Sequence, residues 1–591
     1  MTEPLDEPQL AAFVSPQDER PAPVDTLVPA GVVILLIAFS AQTNTPFWAP
    51  KSAVALTVGL AGVPSLIWLM YRRDAPAWAL LGLLGVGGLS MALSHTVVMS
   101  LVGVYAFGTG FLFMVLVAGW WALGRRLTAV GRRRLEATLV WGAVGESAFA
   151  VCEHLLSFHY AAFQPYEGRY SALFDNPVYL AGYLSATYAL LLRRVSLSPR
   201  PLWRHWPELA AMIAIGVGLQ YSGERLGLIA SGLAAVLAVF GWAFRGRRGL
   251  GLLCGVALGV GVAVGGLINV TGTSASSSVV STTSNNLMFG RVYSWEAAAH
   301  AFAAKPELGW GPGRYEAATS HLRSAREARA QGPDEVFADA HNFLVEYATT
   351  TGVLGLAALI TFLVLAARRS TGPMAWFAAL IAVHMLAEPQ STGVTPLGLL
   401  ALGAAMAPLA NQVNPTRPGW APPRWMVGAT AIGAAGGLFA GTCLYYGDVT
   451  NHHAQLDASP SEMATAMDWM PPWPELAITG SQLYLFEGLG TPSRSPAHRA
   501  ALKLARQAAA DDPDAYGGWL FLAAVENRLG QRQAAFGDYG RALEANPWSV
   551  KAMVGQLATR PAGDVQLQGV LCAKIRQVGE ITESQGLCPS T

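Results

Sequence analysis

Charge is scarce in this chain. Only 13% of its 591 residues are Asp, Glu, Lys or Arg, against 52% hydrophobic ones, and the mean hydropathy is +0.35. Soluble globular domains carry about 25% charged residues, so a soluble protein is excluded and a polytopic membrane protein is indicated. The net charge of +1 gives no electrostatic ground for a nucleic-acid partner. Cysteine is equally sparse. Cys152, Cys254 and Cys443 lie in apolar segments and Cys572 and Cys588 in the polar C-terminal part, a spacing that suits no zinc site. The glycine turn Gly309-Trp310-Gly311-Pro312-Gly313 has no strand before it and no Gly-Lys-Ser/Thr after it, which excludes a nucleotide loop. There is no Ser/His/Asp arrangement, and no cofactor is called for. The start lacks a basic n-region: residues 1–26 are acidic and proline-bearing with Arg20 alone, and read as a disordered cytoplasmic tail rather than a signal peptide.

What is there is a series of apolar runs near the ~20 residues needed to cross a bilayer. They fall near 27–43, 52–71, 76–94, 97–121, 137–158, 174–192, 206–222, 225–244, 250–268, 342–367, 374–390, 394–410 and 426–446. The predicted fold is all-α, a bundle of about 12–13 spans, the 206–222 and 225–244 runs being nearly fused. Alternate loops hold clustered arginines, among them Arg72, Arg73, Arg125, Arg126, Arg132–Arg134, Arg193, Arg194, Arg368 and Arg369. Only Lys51, Arg169 and Arg225 occupy the short loops of the other side. The positive-inside rule then puts the N-terminus in the cytoplasm. The long loop 269–341 and residues 447–591 are expected outside, with the core over 27–425 and a last transmembrane helix over 426–446.

Residues 447–591 have helical periodicity. Trp519, Leu522, Ala523, Ala535, Tyr539, Ala542 and Pro547 fall at tetratricopeptide offsets, and Ala501, Ala508 and Pro513 repeat the last Ala-Ala-Pro set one period of 34 earlier. Two repeats are predicted, presenting a concave surface to a peptide or protein partner. Outside the cytoplasm, Cys572 and Cys588 could oxidise to a disulfide.

Ionisable residues at the outer boundary are the candidates for chemistry. Arg225 closes the turn Ser222-Gly223-Glu224-Arg225, and a snorkelling or Glu-paired anchor is its alternative role. Arg291, in Gly290-Arg291-Val292-Tyr293-Ser294-Trp295, is expected on the first turn of a helix, where the dipole disfavours a cation unless an anion is near. His341 at the water boundary accepts a proton near neutral pH, and Asn342 or Asp339 could fix its tautomer, unless Asp339 merely caps a helix. Arg169 and Asp175-Asn176-Pro177 lie in another outer loop, where turn roles compete with binding, and His384 and Glu388 lie near the outer end of the 374–390 run. Arginine forks suit a diphosphate and a histidine suits activation of a hydroxyl.

Asp175-Asn176-Pro177 with Leu180-Ala181-Gly182-Tyr183-Leu184, the Ser222–Arg225 turn, Gly290-Arg291 to Trp295 with Pro306, Gly309, Gly311 and Gly313, and His341-Asn342 with Gly352 and Gly355 together resemble the O-antigen ligase superfamily over roughly residues 27–410. That superfamily comprises O-antigen ligases, O-antigen polymerases and bacterial protein O-oligosaccharyltransferases, some with a tetratricopeptide extension. The resemblance implies a metal-independent glycosyltransferase of the bacterial cytoplasmic membrane, using an undecaprenyl-diphosphate-linked glycan donor and a lipid, polysaccharide or protein acceptor. It implies catalytic roles for Arg225, Arg291 and His341, the arginines holding the diphosphate; Lys51, Arg169, Asn176 and Asn342 are expected to bind substrate. Glu224, adjacent to Arg225, is expected to compete for it. Two other classes remain open: a transporter or flippase of lipid-linked glycans, for which Glu146 and Glu153 inside the fifth run speak, and a non-catalytic scaffold acting through residues 447–591.

Overall fold

The computed structural model describes residues 22–156, 168–243, 248–272, 283–406, 423–579 and 587–588, and every extended element of regular structure among them is helical. Six described helices are long and apolar enough to cross a membrane: Trp48–Tyr71, Ala75–Ala92, Ala129–Leu156, Gly249–Ile268, Phe343–Ala367 and Arg424–Leu456. The other expected spans form shorter or less apolar helices, and two of them are interrupted. The 97–121 run is not one helix. Val97–Val102 stops at Gly103 (φ 79°), the chain turns through Ala106 (φ 64°) and Gly108 (φ 63°), and a new helix runs Phe111–Arg126. The 374–390 run ends early too: Gly372–His384 gives way to non-helical backbone before Thr395–Ala405 begins. Irregular backbone at such depth is tolerated where it lines a cavity, and residues 389–393 do so here. The expected disordered tail lies outside the described residues up to position 21. Its last residues are instead helical, in Val24–Ile37, because the buried Asp25 carboxylate accepts the Thr128 N–H (2.9 Å) and hydroxyl (2.8 Å).

The arginine-bearing loops gather at one end of the bundle. Asp74 accepts from Arg369 (2.8 Å) and faces Arg125 (3.5 Å), so the loops after Tyr71, Arg126 and Ala367 meet there. Small residues bring helices together: a Cβ on Gly119 would sit 1.8 Å from the Gly59 carbonyl oxygen, so Phe111–Arg126 and Trp48–Tyr71 touch backbone to backbone.

One kink organises the opposite end. Within Phe343–Ala367, Gly352 has φ 67° and ψ −171°, a region only glycine occupies readily. The break frees the Thr349 and Thr350 carbonyls, which accept from Trp310 N (3.2 Å) and Gly311 N (2.9 Å). It also frees the N–H groups of Val353 and Leu354, which donate to Pro306 O (2.7 Å) and Glu307 O (3.3 Å). The glycine turn of the long loop is thus stitched into a helix. A Cβ on Gly352 would lie 2.3 Å from Glu307 backbone. Gly352→Ala is therefore expected to destabilise the protein by about 2 kcal/mol, read as a lowered melting temperature in detergent; an unchanged melting temperature would contradict this packing.

After Arg424–Leu456 the chain forms a short helix, Pro460–Trp469, and then antiparallel pairs: Pro474–Glu487 with Pro496–Asp511, Tyr516–Arg528 with Arg532–Ala545, and Val550–Thr559 with Val565–Val578. Ala501, Ala508, Ala523, Ala535 and Ala542 are fully buried where these helices meet. Cys572 and Cys588 are joined by a disulfide. Trp473 fastens this region to the bundle, donating to Gly103 O (2.7 Å) and packing edge-on to Trp48 (5.9 Å).

Candidate functional site

At the end of the bundle away from the arginine loops lies a cavity of about 370 Å³ lined by Lys51, Asn176 and His341 among others. Its walls are aromatic (Trp48, Phe107, Phe174, Tyr179), and its polar groups include Asp175, Gln390, Ser391 and Thr392. Aromatic faces with interspersed amide, hydroxyl and carboxylate groups suit a polyhydroxylated ligand, whose C–H faces stack and whose O–H groups need partners.

Each lining residue has a local reason to be there. Asn176 caps the helix Pro177–Leu197, its side chain accepting from Val178 N (3.0 Å). Lys51 is buried, and its ammonium donates to the carbonyls of Leu35 (2.7 Å) and Leu36 (2.8 Å). These are unsatisfied groups of the last turn of Val24–Ile37, where the dipole favours a cation. Lys51 also lies over the Phe174 ring (5.1 Å). Both residues hold the wall as well as line it.

His341 is held in a left-handed conformation (φ 48°) by its own neighbour. Asp339 Oδ1 accepts the His341 backbone N–H (2.6 Å) and stands 3.0 Å from Nδ1. Phe337 packs edge-on to the imidazole (5.2 Å). The neutral tautomer selected by an Nδ1–H to carboxylate bond carries its lone pair on Nε2. Burial depresses the imidazole pKa, but the Asp339 carboxylate outweighs it and the net shift is upward from 6.5. Asn342 has a different task from the one expected. Its side chain caps Phe343–Ala367, accepting from Leu344 N (2.9 Å) and Val345 N (3.2 Å), so Asp339 and not Asn342 orients the histidine. The helix cap is likewise Asn342 rather than Asp339.

The arginines surround the cavity without lining it. Arg291 is not on a first helical turn, because its helix begins at Thr283; it sits well inside Thr283–Ala304. The anion it calls for is Glu388, met by both guanidinium nitrogens (3.3 and 3.2 Å), with Ala387 O at 2.7 Å. Glu388 and His341 line one small cleft beside the main cavity, together with Asp339 and Gln390. Glu224 does not take Arg225. It pairs instead with Arg169 (3.3 Å), whose stem lies over the Gly223 turn, and its other oxygen accepts Leu226 N (3.3 Å). Arg225 is exposed, and no carboxylate among the described residues lies in ion-pair range of it. The structure thus brings Lys51, Asn176 and His341 into one cavity, links Arg291 to it through Glu388, and leaves Arg225 and Arg169 at the adjoining turn.

The fifth apolar run gives the transporter reading no support. Glu153 accepts Ala172 N (3.0 Å) and Glu146 accepts Leu173 N (3.1 Å), so both carboxylates hold the segment that leads to Asp175 and Asn176.

A family model described as O-antigen ligase matches residues 210–360. That stretch is similar to the O-antigen ligase family. The O-antigen ligase region carries Arg225, Arg291, His341 and Asn342, whereas Lys51, Arg169, Asn176 and Glu388 come from outside it. The superfamily is one of membrane glycosyltransferases of the ligase and polymerase type. No curated protein matches the chain at a significant level.

Sequence reasoning singled out Glu388 but passed over the stretch after it, Pro389-Gln390-Ser391-Thr392-Gly393, which lines the cavity. Its signal was present: a proline and a glycine among polar residues between two apolar runs mark a break in helix.

Proposed function

We propose that the chain is a glycosyltransferase that moves a glycan from an undecaprenyl-diphosphate donor to an acceptor hydroxyl at the outer face of a bacterial cytoplasmic membrane. The observation that carries this reading is the pairing of two cavities. The polar one with His341 shares Gln390 with an apolar one of about 410 Å³, lined by Leu83, Met114, Phe343, Tyr347, Phe362 and Leu399 among others. An amphipathic substrate needs such a bipartite site: glycan in the first, the start of a prenyl chain in the second, and the diphosphate between them.

In this reading the acceptor hydroxyl gives its proton to His341 Nε2 as its oxygen bonds to the anomeric carbon. The bond from that carbon to the diphosphate oxygen breaks, and undecaprenyl diphosphate leaves with the electron pair. Arg291 and Arg225 meet the developing negative charge, Arg291 partly released from Glu388 as the diphosphate binds. Asp339 stabilises the imidazolium. The long loop and residues 447–591 lie on the outer side, the latter as a tetratricopeptide-like domain.

The reading is tested with protein in nanodiscs, labelled undecaprenyl-diphosphate glycan and a panel of hydroxyl acceptors. Label passing to an acceptor supports it; label that stays on lipid and crosses the bilayer of a vesicle would support transport instead.

The state of His341 adds a pH signature. A base must be neutral, so transfer falls as pH drops through its folded pKa, which lies above 6.5. Asp339→Asn removes the group that raises it and leaves burial, which lowers it. The acid limb of the rate profile is expected to move to lower pH in Asp339→Asn; a limb that stays in place would separate His341 from the proton transfer.

A further inference from the structure

The long loop between Thr283–Ala304 and His341 has little structure of its own. Beyond the glycine turn it holds helices of five and seven residues, Tyr315–Thr319 and Ala325–Gln331, and a 3-10 turn at Ser320–Leu322. Helices that short are unstable without outside contacts. The contacts come from two sides: Tyr315 is buried against Ala298 and hydrogen-bonded to Ser294 (2.9 Å) of Thr283–Ala304, and the C-terminal helical pairs supply the others.

Arg314 is nearly buried and forks onto Asp512 with Nη1 to Oδ2 at 2.5 Å and Nη2 to Oδ1 at 2.6 Å, with Asp514 as a third acceptor (3.2 Å). Nine residues on, the fully enclosed Arg323 reaches Asn546 Oδ1 (3.4 Å), and its backbone carbonyl accepts from Trp548 Nε1 (2.8 Å). Asn546 in turn donates to Pro333 O (3.1 Å). Asp334 then receives Ser549 Oγ (2.5 Å), and the Tyr516 hydroxyl donates to its carbonyl. Ala328 is buried in one core with Val550, Met553 and Leu571.

Asp512 and Asn546 are separated by 546 − 512 = 34 residues, the period read from the sequence, and each directly precedes a repeat proline, Pro513 and Pro547. The same position of two successive repeats therefore meets the loop twice: Asp512 takes the Arg314 fork, and Asn546 touches Arg323 (3.4 Å), whose guanidinium is otherwise held within the loop by Glu327 (3.3 Å), Gly332 O (2.9 Å) and Pro333 O (3.1 Å). That is how a repeat array reads a peptide. The peptide here is the chain's own.

We propose that the C-terminal domain takes residues 314–335 of its own chain as its ligand, and that this docking holds His341 in place, with Asp512 as the chief positioning residue. Asp334, the last anchored residue, is seven residues from His341 with no helix between, a tether of at most about 25 Å. The occupied junctions between repeats are then unavailable to a second peptide. The functional half of this proposal rests on the transferase reading above; the docking half does not.

The two halves are tested together on the full-length protein in detergent. Hydrogen exchange of residues 314–341 is expected to speed up about tenfold or more in Asp512→Ala, because breaking a buried ion pair opens the segment locally. Asp512→Glu should restore part of the protection. Transfer by Asp512→Ala should lose kcat with the KM for the donor unchanged. A second variant guards against misfolding: Asp334→Cys with Ser549→Cys, in a background without Cys152, Cys254 and Cys443, locks the loop on the domain by a disulfide. The locked protein is expected to transfer as well as the same background treated with reductant. The docking proposal is overturned by exchange in 314–341 that ignores Asp512→Ala. The positioning role is overturned by a locked protein that is inactive and recovers on reduction, which would mean the junctions must be vacated for a partner. If the wild type transfers nothing, the transferase reading fails and the exchange result alone decides the docking.

Discussion

Replacing His341 with alanine is expected to slow glycan transfer about 10³-fold, within the ~10²–10⁴-fold that a positioned general base contributes. The imidazole is the basic nitrogen group that lines both the main cavity and the cleft shared with Glu388, and Asp339 fixes its tautomer. Alanine brings a confounding effect, since it adopts the left-handed φ of 48° at this position less readily than histidine does. Asparagine tolerates that conformation better. His341→Asn is therefore expected to keep the melting temperature near that of the wild type and still to lose transfer about as fully as His341→Ala. Transfer that survives in the asparagine variant would move the proton acceptor elsewhere.

The two arginines are expected to fail in different ways. Arg225 is exposed and its neighbour Glu224 is engaged with Arg169, so Arg225→Ala removes a cation without stranding an anion. Transfer should drop by about 10²–10³-fold, the scale of losing one donor to a developing oxyanion, with the melting temperature unchanged. Arg291→Ala should lose a similar factor and also destabilise the protein by about 2 kcal/mol. It leaves the buried Glu388 carboxylate without its fork, a penalty smaller than for a fully buried pair because Arg291 is 27% exposed. Arg291→Lys should recover stability more than transfer, since an ammonium restores charge but not bidentate geometry. Unequal melting temperatures with equal kinetic losses would mark Arg291 as both wall and catalyst; equal melting temperatures would remove the Glu388 pair from the account.

Much of this was legible in the sequence. Low charge and repeated apolar runs fixed an all-α membrane bundle, and the clustering of arginines in alternate loops foreshadowed the end where Asp74 gathers Arg125 and Arg369. What failed to show was pairing at a distance. Glu224 was expected beside Arg225 because they are adjacent, yet the helix starting at Arg225 directs the two side chains apart and Arg169, 55 residues earlier, closes the pair. Lys51 reads as an outer-loop cation for substrate, and only the fold reveals that its ammonium is spent on the end of Val24–Ile37. Two of the long runs are broken for a related reason. Hydropathy does not register a glycine turn, so Gly103 and the polar stretch after His384 split two apparent spans, and both breaks lie by the site. The repeat pattern did not show that these helices meet a loop some 200 residues upstream: Arg314 and Asp512 are 198 residues apart.

The most direct measurement is transfer by purified protein with labelled undecaprenyl-diphosphate glycan and no added divalent metal, in wild type, Arg225→Ala and His341→Asn side by side. The expected result is loss of label from the lipid and its appearance on an acceptor in wild type alone, all three proteins being folded by melting temperature. Transfer at wild-type rates in both variants would contradict the site built around His341 and the turn at Arg225.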